Sequence, residues 1–249
     1  MTVEHERDER TLIIRMNRPH KRNAIDAEMA AGLDAALNAF EDDPELWVAV
    51  LTGTESMFSA GTDLSVGAGE KTVRGGEYGV IRRRMSKPLI AAVEGHALGG
   101  GMELVLACDL VVAGRTATFG LPEPRRGVIA TCGGLFRTRR ALPLNVAKEL
   151  LLTGDSLSAE RAYQLGFVNE VTEPGAAERS ARALAQRICR NAPVSVRESL
   201  AALESLNSAD DAEAWRVTEA AMAATLSSKD TAEGIAAFLE RREPRWSGY

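Results

Sequence analysis

Short apolar segments rich in β-branched residues alternate with helical patterns along the first half of the sequence. The segments cover residues 11–16, 47–52, 88–93 and 109–114, and each has the composition of a buried strand. Asp26 is a candidate N-cap, and apolar residues recur at helical spacing behind it. Strands that alternate with helices predict an α/β fold. The pattern alone does not distinguish a doubly wound, nucleotide-binding sheet from other α/β layouts.

Helical patterns dominate the second half of the sequence. An alanine-rich amphipathic helix is predicted over residues 176–190, and Pro193 separates it from helical segments that continue to Arg242. A chain of 249 residues is long for one domain and short for two. We therefore predict a mixed α/β unit over residues 1–191 and a helical unit over residues 192–249.

Composition and charge argue against several classes of protein. The net charge of -5 and the pI near 5.4 give no general affinity for nucleic acids or membrane surfaces. The three cysteines and three histidines are scattered, so we expect neither a metal site nor a disulfide framework, and free thiols fit a reducing compartment. The charged N-terminus is unlike a signal peptide, and no apolar run has the length of a membrane span. We expect a cytoplasmic protein.

The run Gly99-Gly100-Gly101 precedes a short apolar helix that contains Glu103. Glycines at a helix start let backbone N–H groups approach a ligand, and such donors suit a developing oxyanion. The alternative is a tight connection in which glycine solves only a steric problem. Glu103 has apolar neighbours, and a buried carboxylate is costly unless it is partnered or functional. Its structural alternative is a carboxylate that complements the helix dipole.

Glu123 lies between two prolines in the segment FGLPEPRRG. The rigidity of this loop fixes the direction of the side chain. Glu123 is therefore either a second functional carboxylate or a solvated charge paired with Arg125 or Arg126.

The turn FSAGTDL, residues 58–64, follows a predicted strand and contains small residues. It is either a site of close backbone contact with a ligand or an ordinary turn. Arg18, Lys21 and Arg22 flank the first predicted strand. They either meet a phosphate group or form ordinary surface charge.

Taken in order, these segments resemble the crotonase (enoyl-CoA hydratase) family. The resemblance is carried by NRPHKRNAID, VAVLTG, FSAGTDL, KPLIAAVEGHALGGGMELVLACDLVVA, FGLPEPRRGVIATCGG, LTGDSLSAERAYQLGFVNEV and KDTAEGIAAFLERREPRW. These segments run from Ile14 to Trp246, which is nearly the whole chain. Each motif is weak alone, and their common order and spacing make the assignment.

The resemblance implies a crotonase-like spiral of ββα turns and a C-terminal helical trimerisation region. In the family, two trimers commonly pair into a hexamer. The resemblance also implies an enzyme of lipid and fatty acid metabolism whose substrates are acyl-CoA thioesters. It implies no cofactor beyond the coenzyme A of the substrate, and neither a nucleic acid nor a membrane as partner.

The family's site residues fall on matching positions of this sequence. The two backbone donors of its oxyanion hole fall on Thr62 and Gly100, and the two catalytic glutamates of its hydratases fall on Glu103 and Glu123. Substrate and CoA contacts fall on Arg22, Ala24, Ala60, Asp63 and Leu64. Because both glutamates are present, the resemblance favours hydration of an enoyl-CoA over double-bond isomerisation.

The sequence departs from the family in the segment GVIATCGG, residues 127–134, which lacks the family's proline and the glycine after it. The loop between Leu64 and Lys87 also looks short. Both segments bear on the acyl pocket, so the preferred acyl group stays open. The alternatives are another reaction on this scaffold, a non-catalytic acyl-CoA-binding or RNA-associating protein, and an NAD-dependent enzyme. The last of these lacks support, because no clean GxGxxG fingerprint follows the first strand.

Overall fold

A six-stranded sheet lies at the centre of the protein. The computed structural model describes residues 2–66, 71–208 and 210–248. The strands lie in the order β1 (Val3–Asp8), β2 (Thr11–Met16), β3 (Val48–Thr52), β5 (Leu89–Val93), β7 (Leu110–Gly114) and β10 (Glu170–Thr172). β1 is antiparallel to β2, and the other neighbouring strands are parallel.

A second, four-stranded sheet takes one strand from each successive turn of the chain. Its order is β4 (Met57–Ser59), β6 (His96–Leu98), β8 (Thr118–Gly120) and β9 (Ser156–Ser158). After β3, β5 and β7 in the main sheet, the chain adds β4, β6 and β8, respectively, to this smaller sheet. The result is the spiral of ββα turns that the resemblance implies, and the predicted α/β class is confirmed.

Helices cover the sheets and make up the C-terminal region. Among the described residues they are α1 (Ala27–Asp42), α2 (Gly100–Leu106), α3 (Gly134–Ala141), α4 (Leu144–Thr153), α5 (Ala159–Gln164), α6 (Ala177–Cys189), α7 (Pro193–Asn207), α8 (Asp211–Leu226) and α9 (Lys229–Glu240). Short 3-10 helices span Pro19–Lys21, Glu77–Gly79 and Glu123–Arg126. The last of these 3-10 helices begins with Glu123, one of the two predicted catalytic glutamates.

The main sheet separates two apolar clusters because successive side chains of a strand point to opposite faces. On one face, Ala177, Ala181 and Ala185 of α6 are buried in a cluster with sheet residues that include Val50 and Ile90. Alanine keeps this helix close to the sheet. The cluster on the other face is larger and contains the fully buried side chains of Phe40, Phe58 and Phe119.

The predicted elements agree with the structure where the pattern is regular. β2 matches the predicted strand over residues 11–16, and the side chain of Asp26 caps α1 by accepting from the Met29 amide at 2.9 Å. Residues 58–79 are rich in Gly, Ser and Thr, a composition that predicts a loop, and this prediction is wrong at both ends. Residues 58–59 belong to β4, and residues 77–79 form a 3-10 helix. Residues 67–70 of that segment lie outside the described residues.

The C-terminal helices contribute little to the core. Within the described residues, α7 buries no side chain and α8 buries only that of Thr218. The division between residues 1–191 and 192–249 stays a prediction. No helix in the described part of the chain is long and apolar enough to cross a membrane.

Asn23 is a buried polar residue that joins separate segments of the core. Its side-chain nitrogen donates to the carbonyls of Met16, Met57 and Phe58 at 3.2, 3.0 and 3.1 Å. Its side-chain oxygen accepts from the Arg18 amide at 2.7 Å. Its φ of 50° lies in the left-handed region, which asparagine adopts more readily than most residues. Asn23 therefore holds the end of β2 against β4.

Replacing Asn23 with alanine should lower the free energy of unfolding by about 2–4 kcal/mol, because several buried backbone groups lose their partner. Urea denaturation at a fixed protein concentration measures this change. Asn145→Ala, at an exposed position, is the control and should stay within about 0.5 kcal/mol of the wild type. Equal losses in the two variants would contradict the role given to Asn23.

Candidate active site

The turn between β6 and α2 is the first element of the candidate site. Gly99 has a φ of 56°, a conformation that favours glycine, and its amide donates to the Gly120 carbonyl at 2.8 Å. Gly100 is the first residue of α2, so its amide has no acceptor within the helix. That amide donates no hydrogen bond to any other residue that the structure describes.

The turn after β4 is the second element. Gly61 has a φ of 86°, its carbonyl accepts from the Ile25 amide at 2.8 Å, and the Asp63 amide donates to the Ile25 carbonyl at 2.9 Å. The Thr62 amide between them makes no hydrogen bond within the described part of the chain. A Cβ atom placed on Gly61 would lie 2.8 Å from the Gly100 nitrogen. The two turns therefore touch, and the amides predicted for the oxyanion hole come from neighbouring turns.

Glu103 is buried in the first turn of α2, with 2% of its surface exposed. Its Oε1 atom accepts hydrogen bonds from the amides of Cys132 and Gly134 at 2.7 and 2.9 Å. Burial raises the pKa of Glu103, and the negative charge of Glu123 raises it further, while the two amides act in the opposite direction. Two main-chain amides thus fix the carboxyl in place and favour its ionised form, against the effects of burial and of Glu123.

Glu123 begins the short 3-10 helix Glu123–Arg126. A Cβ atom placed on Gly99 would lie 3.1 Å from its Oε1 atom, so this carboxyl lies against the glycine turn. Its Oε2 atom is buried and has no hydrogen-bond partner among the described residues. Burial raises the pKa of Glu123, and the positive charge of Arg126 opposes that rise. The charge of Glu123 acts on Glu103, so the two carboxyls lie near one another.

Tyr78 is a site residue that no sequence pattern indicated. Its hydroxyl oxygen lies 2.7 Å from Thr62 Oγ1. A Cβ atom placed on Gly100 would lie 2.5 Å from the same hydroxyl, so the tyrosine ring packs directly on Gly100. The Cys132 thiol lies near the same hydroxyl. Tyr78 lies in a segment that is loop-like in sequence, where no periodicity signals burial.

Arg18 is held by internal contacts and is not free for a phosphate. Its guanidinium pairs with Asp26 at 2.9 Å and with Asp63 at 2.8 Å, and donates to the Ala24 carbonyl at 3.0 Å. Hydrogen bonds from Ser65 and Arg18 lower the pKa of Asp63 to about 2. The Asp63 carboxylate thus faces the protein, and any contact of this residue with a substrate would come from its main chain.

The other predicted substrate contacts lie around the same turn. The Ala60 amide donates to the Arg22 carbonyl at 3.0 Å, which joins the turn to the segment after β2. Ala24, Ala60 and Leu64 are partly exposed, and Lys21 and Arg22 are exposed. Of the three basic residues considered for a phosphate, these last two are accessible. Their contact with a substrate stays a prediction.

Metal-ligating side chains are not clustered in the part of the chain that the structure describes, where no group of three or more His, Cys, Asp or Glu residues could hold a metal ion. Cys108, Cys132 and Cys189 are free thiols. Burial raises the pKa of Cys108 and Cys132, so both stay protonated and unreactive near neutral pH.

Comparisons with known proteins show the family to which the chain belongs. Residues 6–249 match the family described as enoyl-CoA hydratase/isomerase. The chain is 39% identical over 245 residues to a mevalonyl-coenzyme A hydratase of Aspergillus fumigatus, covering 94% of this chain and 90% of that protein. It is 38% identical over 248 residues to a carnitinyl-CoA dehydratase of Salmonella typhimurium, covering 95% of each.

A solved structure is similar over the whole length. A carnitinyl-CoA hydratase from Mycobacterium avium superposes with a TM-score of 0.92 at 38% identity, covering 100% of this chain and 99% of that one. Because this solved structure is similar to the whole chain, the alternative of an NAD-dependent enzyme with a doubly wound fold is excluded.

The raised pKa values of the two glutamates have a consequence for stability. The unfolded carboxyls ionise near pH 4.3, whereas the folded ones hold their protons to higher pH. The native state therefore binds more protons, and stability falls as pH rises from about 4.5 through the raised values. Glu103→Gln and Glu123→Gln should each flatten this fall, as measured by urea midpoints between about pH 4.5 and 8.

The control for this titration is Glu149→Gln, at an exposed position on α4. It should keep the pH dependence of the wild type. If both site variants also keep the wild-type slope, neither carboxyl holds its proton to unusually high pH.

Proposed function

Because the chain belongs to the enoyl-CoA hydratase/isomerase family, we propose that it adds water reversibly to a trans-2-enoyl-CoA. The named relatives are hydratases and dehydratases, and the chain is a hydro-lyase of this family that acts on an acyl-CoA. One observation carries the finer proposal. The main-chain amides of Thr62 and Gly100, which have no partner among the described residues, lie in touching turns beside the carboxyls of Glu103 and Glu123.

The amides would polarise the thioester. The thioester oxygen accepts hydrogen bonds from the N–H groups of Thr62 and Gly100, and these bonds strengthen as an enolate forms. A donor of this kind contributes about 3–4 kcal/mol to transition-state stabilisation. Because both donors belong to the main chain of short turns, they are in position before the substrate arrives.

The two glutamates would divide the proton transfers. The ionised carboxylate of Glu103 takes a proton from the attacking water while the oxygen of that water bonds to C3. Glu123, protonated, gives a proton to C2 as the enolate collapses, and the product is a 3-hydroxyacyl-CoA. Each acid or base of this kind contributes about 10²–10⁴-fold. The interaction between the carboxyls supports one proton and one charge on the pair, because one charge opposes a second one nearby. The two amide hydrogen bonds to Glu103 favour the charge on that residue.

The second candidate is the reverse direction on a specialised substrate. The relatives named for mevalonyl-CoA and carnitinyl-CoA favour it, since their names denote substituted acyl groups. The same residues would then remove water from a hydroxyacyl-CoA. We propose no cofactor beyond coenzyme A, with Arg22, Ala24, Ala60, Leu64 and the main chain of Asp63 along its path. A cytoplasmic location, expected from the three free cysteines, is part of the proposal.

The C-terminal helices would carry the assembly of the enzyme into trimers, or hexamers made of two trimers. Large apolar side chains are exposed on all three helices: Val194, Leu203 and Leu206 on α7, Val217 and Leu226 on α8, and Phe238 and Leu239 on α9. Exposed apolar surface of this kind marks sites of protein association. Among the described residues, α7 buries no side chain and α8 buries only one, which supports a role of these two helices outside the core.

Replacing either glutamate tests the chemistry. Glu103→Gln and Glu123→Gln should each lower kcat for crotonyl-CoA hydration by about 10²–10⁴-fold, measured by loss of the enoyl absorbance. Binding of butyryl-CoA, which cannot react, should persist in calorimetry. Glu149→Gln is the control and should keep full activity. Near-normal turnover in a site variant would remove that residue from the mechanism.

Replacing exposed leucines tests the assembly. Leu203→Asp combined with Leu206→Asp should convert trimers or hexamers to monomers, because the charges oppose burial of α7 against another subunit. Analytical ultracentrifugation measures the mass. Leu152→Asp, at an exposed position in α4, is the control and should leave the mass unchanged. A monomeric wild type would contradict the proposal directly.

A further inference from the structure

Tyr78 has an unusual backbone conformation for its size. Its φ is 56°, in the left-handed region, and Gly76 and Gly79 on either side have φ values of 68° and 75°. A bulky residue in this region is strained and persists only where its surroundings enforce it, most often at functional sites. Only 6% of Tyr78 is exposed, so the conformation turns the ring inward.

The hydroxyl of Tyr78 lies between the two parts of the proposed machinery. It lies 2.7 Å from Thr62 Oγ1 and against Gly100, the residues whose amides would hold the thioester oxygen. It also lies near the thiol of Cys132, whose amide donates to the Glu103 carboxyl. The phenol therefore lies beside the first carbons of an acyl group held at this site.

The side chains nearest to the hydroxyl are polar and carry no charge. The Thr62 hydroxyl, the Tyr78 phenol and the Cys132 thiol come together, and Thr131 Oγ1 lies 3.9 Å from the thiol. Burial raises the pKa of Tyr78, as do the neighbouring Cys132 and Glu103, so the phenol stays neutral. A hydrocarbon chain against these groups would leave some of their hydrogen-bonding capacity without a partner, which is unfavourable.

We propose that Tyr78 is a specificity-determining residue that selects short acyl groups carrying a neutral hydrogen-bonding substituent, such as a hydroxyl beyond C3. The ring occupies the space that a longer alkyl chain would need. The phenol donates to, or accepts from, the substituent. This inference rests on the proposed acyl-CoA site and deepens it by naming the class of acyl group.

Tyr78→Phe tests the hydrogen bond, because it removes only the phenolic oxygen. The measurement is kcat/KM for 4-hydroxycrotonyl-CoA divided by kcat/KM for crotonyl-CoA. The wild type should favour the hydroxylated substrate, and the variant should lower this ratio about five- to tenfold, the effect of one neutral hydrogen bond. Tyr163→Phe, at an exposed tyrosine, is the matched control and should leave the ratio unchanged.

Tyr78→Gly tests the steric part while keeping a residue that accepts the left-handed backbone. Its kcat/KM for trans-2-hexenoyl-CoA, relative to crotonyl-CoA, should rise at least about tenfold over the wild-type ratio, as expected when a pocket gains room for methylene groups. Circular dichroism checks that the variant is folded. If it is not, Tyr78→Leu, which shortens the side chain without removing it, takes its place.

A binding measurement tests this inference independently of the proposed reaction. Calorimetry with 4-hydroxybutyryl-CoA and butyryl-CoA gives a ratio of affinities that needs no turnover. If the wild type hydrates no enoyl-CoA but Tyr78→Phe still lowers the affinity ratio, the reaction is wrong and the specificity role stands. If Tyr78→Phe changes neither ratio, or the wild type binds neither analogue, the role of Tyr78 is overturned.

Discussion

The buried carboxylate of Glu103 is the interaction on which the arrangement of the site depends. A carboxyl that is 2% exposed in an apolar helix is strongly unfavourable unless hydrogen bonds replace its water. The amides of Cys132 and Gly134 provide two, at 2.7 and 2.9 Å. Because Cys132 lies in the loop before α3 and Gly134 is the first residue of α3, one side chain ties α2 to the start of α3. A Cβ atom on Gly134 would lie 2.9 Å from Glu103 Oε1, so glycine is required for this approach.

The two glutamates differ in how their oxygens are used. Glu103 has one oxygen fixed by two amides, whereas Glu123 has a buried oxygen without a partner among the described residues. A buried oxygen without a partner is unusual and is disposed to bind an incoming group. If one carboxyl is to act as an acid and its neighbour as a base, the two must lie in different environments. The asymmetry therefore comes from the loops around the pair rather than from the residue type.

Sequence predicted the elements whose side chains repeat with a regular period, such as β2 and the capped helix α1. It did not predict β1, because VEHERD buries only its first residue and forms its strand by pairing with β2. The positions of Glu103, Glu123, Thr62 and Gly100 followed from motif resemblance. Two features of the site depend on packing between segments that are far apart in sequence, which no local pattern encodes. They are the proximity of these four residues to one another and the presence of Tyr78 beside them.

The main-chain amides of Thr62 and Gly100 have a consequence for how such a site diverges. Every residue except proline carries a backbone N–H, so substitution of side chains leaves these donors intact as long as the turns keep their path. The side chains nearby, such as Tyr78 and Cys132, carry no such protection. During evolution, the donors that polarise the carbonyl would be kept as long as the backbone keeps its path. The side chains around them would be free to change, and new reactions could arise on the same fold.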